Sequence, residues 1–575
     1  MPKTNEDVAE LLDEMAELLA ISGYDPFRVR AYEKAARAVA AYAKDIDGMD
    51  DAGILAIPTI GKGMAVRIRE YLDTGAMHEL EELRAQIPAG MRELIHIPGL
   101  GPKKARIIAE ELNISTVEEL IAAIGEHKLK DIKGLGLKTE ENILRGIEQL
   151  RQHGDRIRVD IALALAEELM EGLKSCSAVI DIATAGSLRR MQETIGDIDI
   201  LASSKDANGV MEAFLELEMV GRTIARGDTK CSVLTLRGMQ VDLRVVPPEA
   251  WGAALIYFTG SKAHNVKIRG LALKKKLTLN EYGLFKLDTK TRVAARTEEV
   301  VYKRLGMPWI PPPLREDGGE VEAAAGGTLP ALIAEDHLKG DLHTHTNLTD
   351  GQAPIEEMVD AAAKRGLEYY AVTDHAEGLP MMRVTREKLL AQRKIIDALQ
   401  KKYPSMTLLH GMELNIDKAG NVDYDVDTLA RFDWLNASVH GLFNLTREEQ
   451  TKRIIAAMEN PHVHAIGHPT GRQIGRRQPI DFDPEAVFAA AVRTGTALEI
   501  NCFPDRQDLK SDHVRRAREH GVTFTISTDA HSVNHFRNVR YGIAIAQRGW
   551  LEPSMVLNCK PLSELKEFVA RKRAR

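Results

Sequence analysis

Asp197 and Asp199 stand two residues apart in the run Gly196-Asp-Ile-Asp-Ile200. Side chains two apart on a strand project from the same face. Two carboxylates held together need a counter-charge, and a divalent cation is the natural one. Asp242, in the strand-like run QVDLRVV, offers a third. Three converging carboxylates can hold two Mg²⁺ ions for an in-line phosphoryl displacement, since oxygen donors suit that hard ion. Ahead of them lies Gly186-Ser-Leu-Arg-Arg190. The Gly186 turn, the Ser187 hydroxyl and the Arg190 guanidinium are donors for a triphosphate. A lone Asp-x-Asp is usually an ordinary surface strand. The ordered set Gly-Ser, Asp-x-Asp, Asp points to a nucleotidyltransferase, with Asp197, Asp199 and Asp242 as the catalytic, metal-holding residues.

A second set has different chemistry. His343 and His345 alternate in Asp341-Leu-His-Thr-His345, and Asp350, His375, Glu413, His440, His468, Asp529 and His531 follow along the chain. Any one of these histidines is more often structural than ligating. Six imidazoles and three carboxylates recurring at the ends of apolar runs are hard to explain that way. Mixed nitrogen and oxygen donors favour Mn²⁺, Zn²⁺ or Fe²⁺. Several such ions close together can activate water and clamp a phosphate. Asp341 and Asp374 are expected behind them, orienting ligand imidazoles. Arg472, Arg476 and Arg477 form a nearby basic run that either meets a DNA phosphate or is a solvated face.

A third pattern is a repeat of glycine turns, each entering an amphipathic stretch. They are Ile57-Pro-Thr-Ile-Gly61-Lys-Gly63, Ile97-Pro-Gly99-Leu-Gly101-Pro-Lys103-Lys104 and Ile132-Lys-Gly134-Leu-Gly136. Glycine permits positive φ and close approach of a phosphate, and a helix N-terminus favours an anion. Three copies point to sequence-independent DNA backbone binding through these glycines and lysines. Thr59 stands where the other copies carry glycine.

The elements that must hold these residues change character along the chain. At 575 residues, several domains are required. An apolar fraction of 44% with 28% charged residues is ordinary for folded protein. The net charge of −7 hides the stretch Lys262–Lys276, which has six cations and no acid; a local patch of that kind is what a phosphate backbone needs. Four scattered cysteines form no CxxC pair, and no run is long and apolar enough to span a bilayer, so a cytoplasmic location and no membrane association are expected. Helical patterns run to about residue 150. A helix at Ile161–Lys174 then leads into the runs AVIDIATA, DIDILAS, SVLTL and QVDLRVV. Residues 306–330, rich in Pro, Gly and Ala, are expected to be a flexible linker. Beyond it, YYAVTDH, TLLHGMELN, WLNASVH, HAIGHP, ALEINC and TFTISTD alternate with helical stretches. That rhythm predicts a parallel barrel or doubly wound sheet, with chemistry at the C-terminal strand ends.

Residues from about 20 to 317 resemble family X DNA polymerases of the bacterial or archaeal type, through the palm set, AYEKAARAVAAY at 31–42, YFTGSKAHNVKIR at 257–269 and LNEYGLF at 279–285. Residues 336–575 resemble the PHP (polymerase and histidinol phosphatase) domain, whose ligand pattern the nine His, Asp and Glu positions match in order and type. The resemblance implies a multi-domain α/β chain. Helix-hairpin-helix domains at 1–82 and 83–155 precede a polymerase beta-like palm at 156–248 and a nucleotide-selecting subdomain at 249–317. After a linker at 318–335 comes a distorted seven-stranded β/α barrel at 336–575, with up to three metal ions. It further implies that Ser187, Arg190 and Gly196 contact the triphosphate and that Asp242 activates the primer hydroxyl. Tyr257, Phe258 and Gly260 would crowd the sugar 2′ position, and Asn265 and Arg269 would face the minor groove. Two positions depart from the family pattern. Arg67 occupies the Schiff-base position, where an arginine cannot form an imine. Lys262 replaces an acidic residue beside the incoming base, adding a cation near the triphosphate. The function implied is gap-filling DNA synthesis from deoxynucleoside triphosphates on gapped or primer–template DNA. A metal-dependent 3′-5′ exonuclease or 3′-phosphoesterase would accompany it, with cleavage at abasic sites less firmly implied. A monomer is expected. The alternative is a small-molecule phosphatase tethered to DNA-binding modules, which the intact palm triad argues against.

Overall fold

The computed structural model describes residues 5–40, 42, 46–57, 59–87, 91, 94–95, 97, 100–132, 135–153, 156–377 and 384–575. Gly99 and Gly134 lie outside the described residues, as does the side chain of Lys103. Among the described residues, no helix is long and apolar enough to cross a membrane.

The palm is a five-stranded sheet. Across it run Asp181–Thr184, Ile198–Ser203, Gln240–Val246, Lys230–Thr235 and Val220–Arg226, in that order. The four sequence runs all become strands. The fifth, Val220–Arg226, is an edge strand with almost every residue exposed, so it has no apolar alternation to betray it. The helix Val159–Lys174 buries Leu165, Leu169 and Leu173 against Ile198, Ile200, Val241 and Leu243. Ile198–Ser203 and Gln240–Val246 pair in parallel, which puts Asp199 directly beside Asp242.

The N-terminal glycine turns do enter helices, at Lys62–Thr74, Pro102–Leu112 and Leu137–His153. Their glycines differ from expectation, however. Gly61 and Gly101 are N-caps with φ of −88° and −70°, so neither needs the left-handed region. A Cβ on Gly61, Gly101 or Gly136 would meet no atom of this chain within 4 Å. Their smallness leaves backbone N–H groups open to something outside the chain, as a phosphate approach requires. The left-handed position of the first turn is Thr59, φ +71°, the site where the other two copies carry glycine.

Helices Trp251–Thr259 and Lys262–Lys274 and a three-stranded antiparallel sheet form the subdomain expected to select the nucleotide. The expected flexible linker begins as part of it. Arg315, fully buried, bonds Glu298 at 2.8 Å and the Ile310 carbonyl at 2.8 Å. Glu320–Gly326 is helical, and Val321 and Ala324 join the subdomain core. Buried Glu320 bonds His264 Nδ1 at 2.6 Å. The prolines preset an extended turn that leaves few donors unpaired, and the alanines allow close packing. Composition alone read as flexibility what these buried ionic contacts make rigid.

The C-terminal sheet has seven parallel strands in chain order. They are Gly340–Asp341, Tyr369–Val372, Thr407–Asn415, Trp434–Ser438, Ala465–Gly467, Ala497–Asn501 and Phe524–Ser527. A bridge between Thr344 and Ala530 draws the first and last together, so the barrel is nearly closed. Six of these strands are the six apolar runs; the other has only two residues. The helix Val539–Arg548 docks the barrel on the N-terminal half. Its Tyr541 enters the palm core, and Trp550 just beyond it enters the core of the nucleotide-selecting subdomain.

Candidate metal centres

At the palm, the turn before the helix Gly186–Arg189 lies against the carboxylate strand. The Ala185 N–H donates to the Asp199 carbonyl, and a Cβ on Gly186, φ +56°, would stand 2.1 Å from Asp199 Oδ2. Only glycine lets a Gly-Ser turn sit so close to that carboxylate. Asp197 is exposed, Asp199 half-buried and Asp242 buried. Burial, with Asp197 and Asp242 close by, pushes the Asp199 carboxyl up to about 7. Burial acts the same way on Asp242, but hydrogen bonds from Lys230, Ser232 and Gln240 outweigh it and hold that carboxyl below its usual value. Lys230 Nζ lies 2.5 Å from Asp242 Oδ2. The cross-strand lysine is a residue that the sequence reading missed. A carboxylate cluster that retains a proton at neutral pH and borrows a lysine fits a divalent cation.

Around this triad, Arg190 donates to Glu316 (2.7 Å) and to the Thr259 carbonyl (2.5 Å). Its neighbour Arg189 grips Glu298 with both ends of its guanidinium, at 2.9 and 2.8 Å, and ties palm to nucleotide-selecting subdomain. Burial opposes charge on Glu298, but Arg189 and Arg315 hold its carboxyl down at about 2. Tyr257 is 38% exposed, so it is not a core residue; Phe258 packs edge-on against it, and Arg244 lies over the Phe258 ring, 4.6 Å from its centre. Gly260 has φ +68°. Asn265 donates to the Tyr257 carbonyl at 2.7 Å, while its buried Oδ1 has no partner. Ser187 lies in the short helix Gly186–Arg189 and Gly196 between the strands Thr194–Ile195 and Ile198–Ser203, while Lys262 and Arg269 are exposed on the helix Lys262–Lys274.

At the barrel, all nine expected donors converge. Among the described residues, three groups have ligand atoms within 4.8 Å of one another: His345, Asp350, His375 and His531; His343, His345 and Asp529; and His375, Glu413 and His440. Glu413 links them. Its Oε1 lies 3.1 Å from His440 Nε2 and 2.9 Å from His468 Nε2, and its Oε2 2.9 Å from His375 Nδ1. Asp529 Oδ1 lies 3.1 Å from His345 Nε2, and Asp350 Oδ2 3.3 Å from His531 Nε2. His343 Nε2 and both nitrogens of His345 are buried without a hydrogen-bond partner. Orphaned imidazole nitrogens aimed at carboxylates in a buried pocket fit metal ions. His468 and Asp529 carry positive φ, +27° and +53°, so the rim that presents them is strained.

The supporting ring differs from expectation. Asp341 accepts from the His343 N–H and from Thr528, and Asp374 accepts from Thr346, Thr349 and Gln392. Both fix loops rather than imidazoles. Glu499 orients His343, with Oε1 2.7 Å from Nδ1, and Asn415 orients His440 at 2.7 Å. The basic run also divides. Arg472 is taken up by Glu193 of the palm and by backbone carbonyls, and Arg476 by Asp13 of the first helix. Arg477 lies over the Phe443 ring, 4.1 Å from its centre. Arg506, which no motif flagged, places Nε 3.5 Å from Asp529 and leaves a buried Nη1 without a partner. In the N-terminal domain, Arg67 is tied to Glu79 and to the Gly63 carbonyl, with Lys62 exposed beside it.

Comparison with known proteins follows the same division. Residues 3–77 match a helix-hairpin-helix domain and 91–149 a SAM-like helix-hairpin-helix tandem. Residues 254–316 match the DNA polymerase beta thumb, and 341–468 the PHP domain. The chain is 25% identical over 340 residues to DNA polymerase lambda of Rattus norvegicus, covering 54% of this chain and 56% of that protein. It is 31% identical over 245 residues to a probable phosphatase of Thermoanaerobacter sp. (strain X514), covering 40% of this chain and 95% of that protein. Over 569 residues it is 37% identical to the DNA polymerase/3′-5′ exonuclease PolX of Bacillus subtilis (strain 168), covering 98% of this chain and 99% of that protein. With two donor sets in one chain and similarity running its whole length, this protein belongs to the PolX family of DNA polymerase/3′-5′ exonucleases.

Proposed function

We propose that this chain fills short gaps in DNA at its palm and trims DNA 3′ ends at its barrel, as a monomer acting in the cytoplasm. The observation that carries the reading is the presence of two chemically distinct donor sets, carboxylates beside a Gly-Ser turn and imidazoles with carboxylates at a barrel rim, in one folded chain. Mg²⁺ held by Asp197, Asp199 and Asp242 would offset triphosphate charge in the palm. Gly186, Ser187, Gly196 and Arg190 hold the triphosphate, with Lys262 adding positive charge, and Asp242 takes the proton of the primer hydroxyl. Tyr257, Phe258 and Gly260 exclude a ribose 2′-hydroxyl, and Asn265 and Arg269 read the minor groove. The glycine turns, including Gly63, Gly99 and Gly134, with Lys103 and Lys104, grip backbone phosphates.

At the barrel, Mn²⁺, Zn²⁺ or Fe²⁺ held by the nine donors would supply Lewis acidity to a terminal phosphate ester. Glu499 and Asn415 fix the rings of His343 and His440. Arg506 and Arg477 orient the phosphate. The proposed domains are 1–82, 83–155, 156–248, 249–317 and 336–575; in the connection 318–335, the helix Glu320–Gly326 packs on the 249–317 subdomain. Gapped, end-labelled DNA incubated with Mg²⁺ or Mn²⁺, with and without nucleotides, tests both halves. Extension with nucleotides and shortening without them are expected; hydrolysis of small phosphate esters with no action on DNA would overturn the reading.

A further inference from the structure

Arg190 is not a free guanidinium. Its Nε lies 2.7 Å from Glu316 Oε1 and its Nη1 2.5 Å from the Thr259 carbonyl. Gln192 donates to the same Glu316 oxygen. A second guanidinium reaches that oxygen from the barrel domain. Arg548 Nη1 lies 3.3 Å from Glu316 Oε1 and 3.3 Å from the Arg190 carbonyl. The three side chains are 13%, 31% and 15% exposed, for Arg190, Glu316 and Arg548 in turn, so their charges are only partly screened by water. Arg548 is also well anchored. It ends the helix Val539–Arg548, between Tyr541 in the palm core and Trp550 in the core of the nucleotide-selecting subdomain.

We propose that Arg548, a residue of the barrel domain, sets the nucleotide affinity of the polymerase site by keeping Arg190 exchangeable between Glu316 and a triphosphate; this rests on Arg190 being a triphosphate contact. A triphosphate must pull Arg190 away from Glu316. Were Arg190 the only cation there, the half-buried carboxylate would be left without a counter-charge, and that cost would hold Arg190 back. Arg548 removes the penalty, because it remains on Glu316 when Arg190 leaves. A cavity of about 250 Å³ beside Gln192, Ile545 and Arg548 gives the guanidinium room to follow the carboxylate. Arg548 is thus a positioning residue for the polymerase. It touches neither the triphosphate nor the donors at the barrel rim.

Single-nucleotide insertion on gapped DNA with Mg²⁺ separates the cases, with 3′-end degradation measured on the same preparations. Arg548→Met should raise the KM for nucleotide roughly five- to tenfold, with a smaller change in kcat. Glu316→Gln should lower KM below wild type, since the competitor for Arg190 is gone. The double variant should behave like Glu316→Gln alone, and Arg548→Lys should stay near wild type. Degradation should run at the wild-type rate throughout. Arg190→Ala tests the underlying reading: if it leaves KM unchanged, Arg190 is not a triphosphate contact. If Arg190→Ala raises KM while Arg548→Met does not, or Glu316→Gln fails to reverse Arg548→Met, the role of Arg548 is overturned. Should Arg548→Met also lose degradation through misfolding, Glu316→Gln decides alone, and an unchanged KM overturns the proposal.

Discussion

The two donor sets of this chain are built on opposite principles. In the palm, Asp197 is exposed, Asp199 sits with its carboxyl pushed up to about 7, and Asp242 is paired with Lys230. The three are close in register, yet the groups of donors within 4.8 Å of one another, among the described residues, all lie at the barrel. There, buried imidazoles already surround Glu413 and Asp529 and have orphaned nitrogens. On the function proposed above, the palm would complete itself only when a triphosphate brings further charge and cations with it. The barrel, on the same reading, would keep its ions between turnovers. Harder donors, partial exposure and a substitute lysine give exchange; mixed donors and burial give retention.

The strongest way to break this comparison is to remove each set. Asp197→Ala with Asp199→Ala should lower nucleotide addition by roughly three orders of magnitude or more and leave 3′-end degradation intact. His343→Ala with His345→Ala should do the reverse, to a similar extent. Primer extension and degradation assays on both variants check this, and loss of both activities in either variant would mean that the sites are not separate. A smaller effect is expected one layer out. Glu499→Gln leaves every barrel donor in place but loosens the ring of His343. It should weaken metal retention or degradation by about 10- to 100-fold, read by metal analysis after dialysis, and unchanged metal content would show that His343 is oriented some other way.

A pH series sharpens the contrast further. Cations need the ionised form of Asp199, whose carboxyl lies at about 7. Below that pH a proton competes, so the Mg²⁺ needed for half-maximal extension should rise, approaching about tenfold per unit. Above it the dependence should vanish. Asp242, held below its usual value, stays ionised throughout. A flat Mg²⁺ requirement between about pH 8 and about pH 6 would sink this account. The smallest effect concerns Lys230, which is more than a third exposed. Lys230→Met should tighten Mg²⁺ binding in the absence of DNA only roughly two- to fivefold, as judged by calorimetry; weaker binding would mean that the lysine orders Asp242 rather than substituting for a cation.

Much of this was legible in the residues themselves. Donor pairs two apart on a strand, histidines at the ends of apolar runs, and glycine turns before helices are local patterns, and local geometry carries them into space. So the palm carboxylates and the barrel donors could be singled out from the residues, with the family resemblance completing the set of nine, and four palm strands and six barrel strands could be read from the apolar runs. What spacing could not supply was any partner chosen by closure of the fold. Glu499 is 156 residues from His343, and Arg506 meets Asp529 only because adjacent barrel strands bring their loops together. The edge strand Val220–Arg226 lacked a buried face to announce it, and the supposed linker gained its rigidity from Glu298 and His264, far away in sequence. Asp341 and Asp374, two residues and one residue from ligands along the chain, turned out to brace loops, because the fold brings Thr528 to the first, and Thr346, Thr349 and Gln392 to the second, within hydrogen-bond reach of their oxygens. The sequence determined which residues could do chemistry. The tertiary structure decided which groups hold them, and it set Arg548 of one domain against Glu316 of the other, since buried charges take as partners whatever the packing brings within reach.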